Sequence, residues 1–254
     1  IKKEKIKYFV CNIKRKNNFK LIDKKFDYII NFSGNIDHKN KSETMNVHYF
    51  GLKNLLNHID KRYLKLFIQI GSSLEYGRKN SPQKENRKCK PISNYGKAKY
   101  LATNYVLKNI KKSIVLRLYQ VYGPGQKKDR LIPYVIENCL KNKTFNCSEG
   151  SQMRDFLYVD DLVNLIKKIL RSKKIKSKIY NVGSGNPKKV KYLINLILKK
   201  IKKGKPIFGN IKMRADEIKD LYPNIQNVKK DFKWKPLIEL NRGLQKTINY
   251  YAKN

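Results

Sequence analysis

Residues 63–77 read YLKLFIQIGSSLEYG. The apolar run ends at Ile70, and glycine plus the small polar pair Ser72-Ser73 follow. A run this short and this apolar, closed by small residues, predicts a strand buried on both faces. Downstream, a Pro- and Lys-rich loop reaches Pro91, then the pattern predicts a helix over 94–111 and a strand in SIVLRLYQVYG, residues 113–123. Upstream, Met45, Tyr49, Leu52, Leu55, Leu56 and Ile59 recur at helical spacing, predicting a helix over 42–59. FDYIINFS, from Phe26, and YFVCNI, residues 8–13, are short β-type runs. Strands alternating with helices imply an α/β protein: a parallel sheet with helices on both faces.

Beyond Gly123 the texture changes. GPGQKKDRLIP is loop-like, a helix runs to about Leu140, and RDFLYVDDLVNLIKKIL predicts a short strand entering a helix. KIYNVGSG is one more strand with a glycine-rich exit. The last sixty residues read as helices and loops, with Asn224 as a cap and Trp234-Lys235-Pro236 as a terminator. The expected division is 1–122, with 156–183 returning to it, and a smaller mixed lobe of 123–155 and 184–254. Ligands of open α/β sheets lie beyond the strands' carboxyl ends, here Ser33-Gly34, Ser72-Ser73, Tyr119-Gln120 and Gly183.

The charge balance offers a competing reading. Lys+Arg number 59 against 19 Asp+Glu, a net charge of +40 in 254 residues. Taken alone, that suggests a partner among nucleic acids or anionic membranes. Yet only 10 of those cations are Arg, and 49 Lys, 28 Ile and 27 Asn share A/T-rich codons. Mutational bias explains such a composition at least as well as a polyanion does. The lysines are spread through every segment, with no aromatic-interleaved RNA-binding motif, so no specific nucleic acid is expected. No apolar run reaches the eighteen or so residues of a membrane span. The 4 Cys are scattered without a CxxC spacing, which reads as a reduced, cytoplasmic protein. With 3 His that join no cluster, no metal is expected.

The chemistry lies in GSSLEYG and, twenty-three residues after Ser72, SNYGKAK. Tyr95 and Lys99 are four apart on a predicted helix and share a face. A free tyrosine titrates near about 10. A neighbouring ammonium favours the phenolate, so Tyr95 could exchange a proton with a substrate hydroxyl near neutral pH. A serine at a strand end would hold the same oxygen. That is the proton side of hydride transfer to or from a carbinol carbon, with a nicotinamide on the hydride side. The spacing Tyr-x-x-x-Lys recurs at Tyr49/Lys53, which lacks the strand-end serine and reads as a structural pair.

Taken in order, these motifs resemble the extended short-chain dehydrogenase/reductases, and among them the NAD-dependent sugar-nucleotide epimerase/dehydratase family, over nearly the whole chain. GSSLEYG with YGKAK resembles the family's Ser/Thr and Tyr-Lys set; LRLYQVYGPGQ resembles its Arg-x-x-Asn-x-Tyr-Gly-Pro strand end, and RLIP its substrate loop. GSQMRDFLYVDDL, YNVGSG and the late MRADE and FKW complete the series. The resemblance implies a Rossmann-like fold, NAD or NADP as cofactor and a nucleotide-sugar substrate, with a homodimer left open. It implies that Ser72, Tyr95 and Lys99 are catalytic. Asn12, Ile13, Asn31, Phe32, Ser33, Gly34, Tyr119 and Gln120 would join Tyr95 and Lys99 in holding the cofactor. Ser73, Gln120, Arg130, Leu131, Arg154 and Arg214 would face the substrate, the three arginines as clamps on its diphosphate.

Departures from the family pattern set further expectations. The glycine-rich pyrophosphate turn is absent, and YFVCNI corresponds to the family's third strand. With Ile1 first, the expectation is a chain lacking its first βαβ unit, binding NAD poorly and folding with difficulty. The family's Asn in NxxG is His48 here, read as a packing substitution. Family 4,6-dehydratases place an acid and a base after the serine. Here Ser73 and Leu74 stand there, and Glu75 is expected to point away from an extended strand. Dehydration is therefore disfavoured against a 4-epimerase or a 4-keto reductase, with an inactive fragment as a further alternative.

Overall fold

The computed structural model describes residues 6–35, 40–173, 175–213 and 217–253. In chain order its elements are β1 (Tyr28–Asn31), α1 (Lys41–Met45), α2 (Gly51–His58), β2 (Leu66–Ser72), α3 (Asn94–Asn109) and β3 (Ser113–Leu118). Next come β4 (Gln120–Tyr122), α4 (Leu131–Leu140), β5 (Thr144–Asn146), β6 (Met153–Arg154), β7 (Phe156–Tyr158) and α5 (Val159–Leu170). The series closes with β8 (Lys178–Val182), β9 (Lys188–Lys189), α6 (Val190–Ile201), β10 (Lys205–Ile207), β11 (Asp220–Leu221), α7 (Gln226–Phe232) and α8 (Leu240–Lys253). The chain divides into two compact units.

One unit takes Ile1–Glu75, Pro91–Leu116 and Lys174–Ile179. The main sheet runs β1-β2-β3-β8. Every residue of β2 is buried, as a central strand requires. β1 and β2 pair in parallel from Tyr28↔Leu66 to Asn31↔Gln69, and that register lets Asn31 Nδ2 donate to Gln69 Oε1 at 2.9 Å. Leu52 and Leu56 of α2, Phe67 of β2, and Ala102 and Val106 of α3 form a core cluster with no exposed surface. The i, i+4 spacing in each helix aims both residues at the sheet. Burying one such leucine or phenylalanine contributes about 1.5–3 kcal/mol. Between α1 and α2, Asn46–Phe50 form a π-helical turn, so the predicted helix is continuous but locally widened.

Helix α3 begins where Ser93 accepts a hydrogen bond from Gly96 N–H at 3.0 Å. Gly96 is required there: a Cβ would lie 2.5 Å from the Leu74 carbonyl oxygen. The first turn of α3 is thereby seated directly on the chain leaving β2.

Several predicted elements take other forms. YFVCNI is not a strand: Tyr8 is 86% and Val10 100% exposed, and no described strand pairs with it. A lone extended segment gains nothing without a neighbour to complete its backbone hydrogen bonds. The strand in SIVLRLYQVYG breaks after Leu118, and β4 turns away to pair in parallel with β7. The segment after Ser72 is not extended either. Ser73–Glu75 form a 3-10 turn with Glu75 completely buried.

The other unit takes Tyr76–Lys90, Arg117–Lys173 and Tyr180–Asn254. Its core is Ile132, Val135 and Ile136 of α4, Leu193, Ile194 and Ile197 of α6, and Leu244 and Ile248 of α8. Small sheets surround it: β10 with β5 in parallel, and β6 between parallel β11 and antiparallel β9. Two acidic residues of the RDFLYVDDL run prove to be internal pins. The Asp155 carboxylate accepts from Ser184 N at 2.5 Å and Gly185 N at 2.7 Å, and Gly183 has no room for a Cβ beside it. Asp161 accepts from Leu237 N at 2.9 Å and Ile238 N at 3.0 Å, while Trp234 Nε1 donates to its carbonyl at 3.1 Å. Asn224 acts near its predicted place, accepting from Gln226 N at 2.9 Å.

Asp161→Ala leaves two backbone N–H groups without their acceptor. Urea unfolding should show a loss of about 2–4 kcal/mol. Asp160→Ala, one residue away and exposed, should stay within about 0.5 kcal/mol of the parent.

Candidate functional site

The first unit brings together the three residues singled out as catalytic. Ser72 ends β2, and its Oγ accepts the Leu74 N–H at 3.2 Å, an arrangement that leaves the hydroxyl proton to be donated outward. Glu75 Oε1 accepts the Ser72 N–H at 2.8 Å. Ser72 and Glu75 thus form a capping box on the 3-10 turn, each side chain satisfying backbone near the other. The spacing Ser-x-x-Glu is the sequence signal of this turn, which replaces the extended segment expected after Ser72. Ser73, expected at the substrate, lies in this turn and is 4% exposed.

Tyr95 and Lys99 lie one turn apart on α3. The Lys99 ammonium sits 5.8 Å from the centroid of the Tyr95 ring. Lys99 is 4% exposed, and its Nζ donates to the Ile70 carbonyl of β2 at 2.8 Å. Burial lowers its pKa to about 8, and the charge of Glu75 opposes that fall. Tyr95 is half-buried, with the His48 ring edge-on to it at 5.0 Å.

His48 itself is buried in the π turn and reaches the β1 exit. Its Nε2 lies 3.2 Å from Asn35 N and 3.1 Å from Asn35 O, accepting from the one or donating to the other according to tautomer. A Cβ on Gly34 would stand 2.9 Å from His48 Cε1, so the glycine admits the ring. The histidine therefore ties the β1 exit to the tyrosine, more than its reading as packing anticipated. Asn31 Oδ1 accepts from Ser33 N at 3.0 Å and Ser33 Oγ at 2.6 Å, which turns the chain there and leaves Phe32 60% exposed.

The expected cofactor residues can be tested against this geometry. Lys99 has three N–H donors, and among the described residues one carbonyl accepts from it. Two donors remain for ligand hydroxyls, which suits the ribose end of a dinucleotide. The exposed Phe32 and the glycine at the β1 exit suit a flat ring approaching backbone. Asn12 is less open. Its Oδ1 accepts Lys14 N–H at 3.1 Å, and Ile13 packs against Gly51.

The second unit holds the remaining expected residues. Gln120 is exposed on β4, where its N–H donates to the Asp155 carbonyl at 3.1 Å. Tyr119 turns inward instead: its hydroxyl donates to Gln83 Oε1 at 2.7 Å, beside Tyr76, which donates to Asn181 Oδ1 at 2.8 Å. Burial pushes Tyr76 up to about 12 and Tyr119 well above the ordinary tyrosine range, so both hydroxyls are structural donors at neutral pH. Arg130 is exposed at the N-terminus of α4, next to Leu131 at 37% exposure. Arg154, by contrast, is 6% exposed and already neutralised. It bonds Glu217 and the carbonyls of Met153, at 2.7 Å, and Lys219, at 3.1 Å. Glu217 was not foreseen, because the pairing is set by β6 and β11 lying side by side. Arg214 lies outside the described residues.

Comparison with known proteins identifies the fold and the family. A UDP-glucuronate 4-epimerase of Thermodesulfobacterium geofontis is 30% identical over 213 residues, 80% of this chain and 64% of that one. The match thus spans just under two thirds of that relative. Among solved structures, RMD from Pseudomonas aeruginosa complexed with NADPH superposes with a TM-score of 0.86 at 21% identity, covering 96% of this chain and 88% of that one. UDP-glucose 4-epimerase from Thermotoga maritima with UDP-glucose gives 0.85 at 23%, covering 95% and 82%. These likenesses establish a Rossmann-like fold with a parallel sheet and a smaller mixed sheet. The profile of the NAD dependent epimerase/dehydratase family matches residues 2–183, well over half of the sequence, and the chain belongs to that family.

Proposed function

We propose that the protein acts on a nucleotide-activated sugar, exchanging hydride at a ring carbinol or ketone as a 4-epimerase or a 4-keto reductase does. The observation that carries this reading is the buried Lys99 ammonium, hydrogen-bonded to the strand that ends in Ser72 and 5.8 Å from the Tyr95 ring. An ammonium so placed lowers the energy of a phenolate next to it. When bound, NAD or NADP would supply hydride exchange with the sugar carbon. Lys99, Tyr95 and the β1 exit at Asn31, Phe32, Ser33 and Gly34 are the residues that would hold it.

The chain's own part is proton and position. For oxidation, Tyr95 as phenolate takes the carbinol proton; for reduction, Tyr95 as phenol returns a proton to the same oxygen. Ser72 donates its hydroxyl proton to that oxygen as charge develops, a contribution that grows toward the transition state. Gln120, Arg130 and Leu131 are the exposed groups assigned to the substrate. Arg154 reaches a diphosphate only by exchanging Glu217 for it.

Dehydration is less well supported. Leu74 has no proton to move, and Glu75 is buried with its carboxylate on Ser72 N–H. The names of relatives, among them a UDP-glucuronate 4-epimerase, support nucleotide sugars as the substrate class.

Tyr95→Phe removes the proton donor and keeps the ring. Turnover of UDP-sugars with added NAD should fall about 10²–10⁴-fold, with KM nearly unchanged. Wild-type turnover in that variant would end the proposal. The pH dependence is set by Lys99, which is charged below about 8 and neutral above it. As pH rises through about 8 the phenolate loses its cation, so kcat should decline on an alkaline limb centred there. Steady-state kinetics from pH 6 to 10 check this, with salt held constant.

A further inference from the structure

We propose that Glu75 is a positioning residue of this site: its carboxylate fixes Ser72 and supplies the negative charge that keeps Lys99 a cation beside Tyr95. The proposal rests on the reading of Ser72, Tyr95 and Lys99 given above and deepens it.

Glu75 has no exposed surface. A carboxylate removed from water is strongly destabilising unless hydrogen bonds and an opposite charge compensate it. The Ser72 N–H, at 2.8 Å, is one compensation. Lys99 brings a cation to the same strand end, bonding the Ile70 carbonyl two residues before Ser72, and the charge of Glu75 opposes the fall in its pKa. The need is mutual. An ammonium that is 4% exposed, with a neutral carbonyl as its acceptor, tends to give up its proton.

The elements packed on α3 offer few alternatives. β2 contributes no titratable side chain, only the Ile70 carbonyl. The π turn contributes His48, whose Nε2 is engaged with Asn35, and Tyr49. On α1, Glu43 is bonded to Lys14 at 2.8 Å. On α3 itself, Tyr95 presents its ring. Among the described groups, Glu75 is the charge that bears on Lys99.

Geometry adds a second link. The Leu74 carbonyl oxygen lies 2.5 Å from where a Cβ on Gly96 would be, so the turn that carries Glu75 also seats the start of α3. One turn of three residues therefore sets the serine, the lysine's charge and the helix that bears the tyrosine. A capping box alone would explain the bond to Ser72, but not a dependence of Lys99 on residue 75.

Glu75→Gln separates these roles, because the amide oxygen still accepts the Ser72 N–H while the charge is gone. Carbon-13 NMR of labelled lysine, on the protein without added dinucleotide, reads the ammonium directly. The Lys99 resonance is assigned by its loss in Lys99→Met. The expected result is a fall of the Lys99 titration by about one unit. The alkaline limb of UDP-glucose turnover with NAD should move by the same amount, lowering kcat about fivefold near pH 8 with KM within about twofold. Turnover should return toward the parent value at lower pH, a rescue that a structural defect would not show. An unchanged Lys99 titration in Glu75→Gln overturns the proposal, and so does a kcat loss equal at all pH values. Should Glu75→Gln fail to fold, Glu75→Asp keeps the charge but withdraws it by one methylene, and a smaller fall of the Lys99 titration in the same direction is expected, an unchanged titration again overturning the proposal. Tyr95→Phe with full turnover would remove the hydride-transfer reading while leaving the NMR result standing, so the two failures are distinguishable.

Discussion

Lys99 carries its ammonium into the interior of the first unit, with the Ile70 carbonyl as acceptor at 2.8 Å, and that burial constrains what can be packed around it. A desolvated cation requires acceptors and a counter-charge within a few ångströms. The central strand supplies a carbonyl and α3 supplies the aromatic ring of Tyr95, while the charge of the buried Glu75 opposes the fall in the lysine's pKa. Each is placed by backbone geometry: the parallel register of β1 and β2, the capping box after Ser72, and the contact of Gly96 with the Leu74 carbonyl. The same features that stabilise the unit thereby hold Ser72, Tyr95 and Lys99 in one arrangement.

The second unit uses buried carboxylates differently. Asp155 and Asp161 are saturated by backbone N–H groups, and Glu85 accepts from Asn181 N at 3.0 Å and Asn227 Nδ2 at 2.8 Å. These residues close loops, including the glycine-rich exit of β8 and the stretch before α8. Their value is in joining distant segments, and none presents an oxygen that the chemistry needs. A conspicuous acidic motif is here an architectural device.

The net charge of +40 can be reconsidered in this light. Among the described residues few cations are buried, and those few are specific: Lys99 beside Tyr95, Arg117 over the Tyr76 ring at 4.5 Å, and Arg154 against Glu217. Such groups interact at low effective dielectric, where one charge outweighs many solvated and screened ones. Surface lysines raise the protein's solubility and its general attraction to anions without selecting a partner. No helix among the described residues is long and apolar enough to cross a membrane.

The strand–helix order, the family and the nearness of Tyr95 to Lys99 were legible from the sequence, because each depends on local periodicity or on residues four apart. The buried run in residues 63–77 announced a central strand, closed by small polar residues. What only the tertiary structure decided were relations between residues far apart or dependent on the exact path of the chain. Whether YFVCNI pairs depends on a neighbouring strand, which no local pattern can supply. Whether Arg154 is open to a phosphate depends on β11 bringing Glu217 alongside. Whether Glu75 points away or inward depends on a single turn, and the Ser-x-x-Glu spacing acquires its meaning only once that turn is seen buried against α3. Periodicity states which face of an element is apolar; it cannot state which charge will meet another inside, because that is fixed by packing.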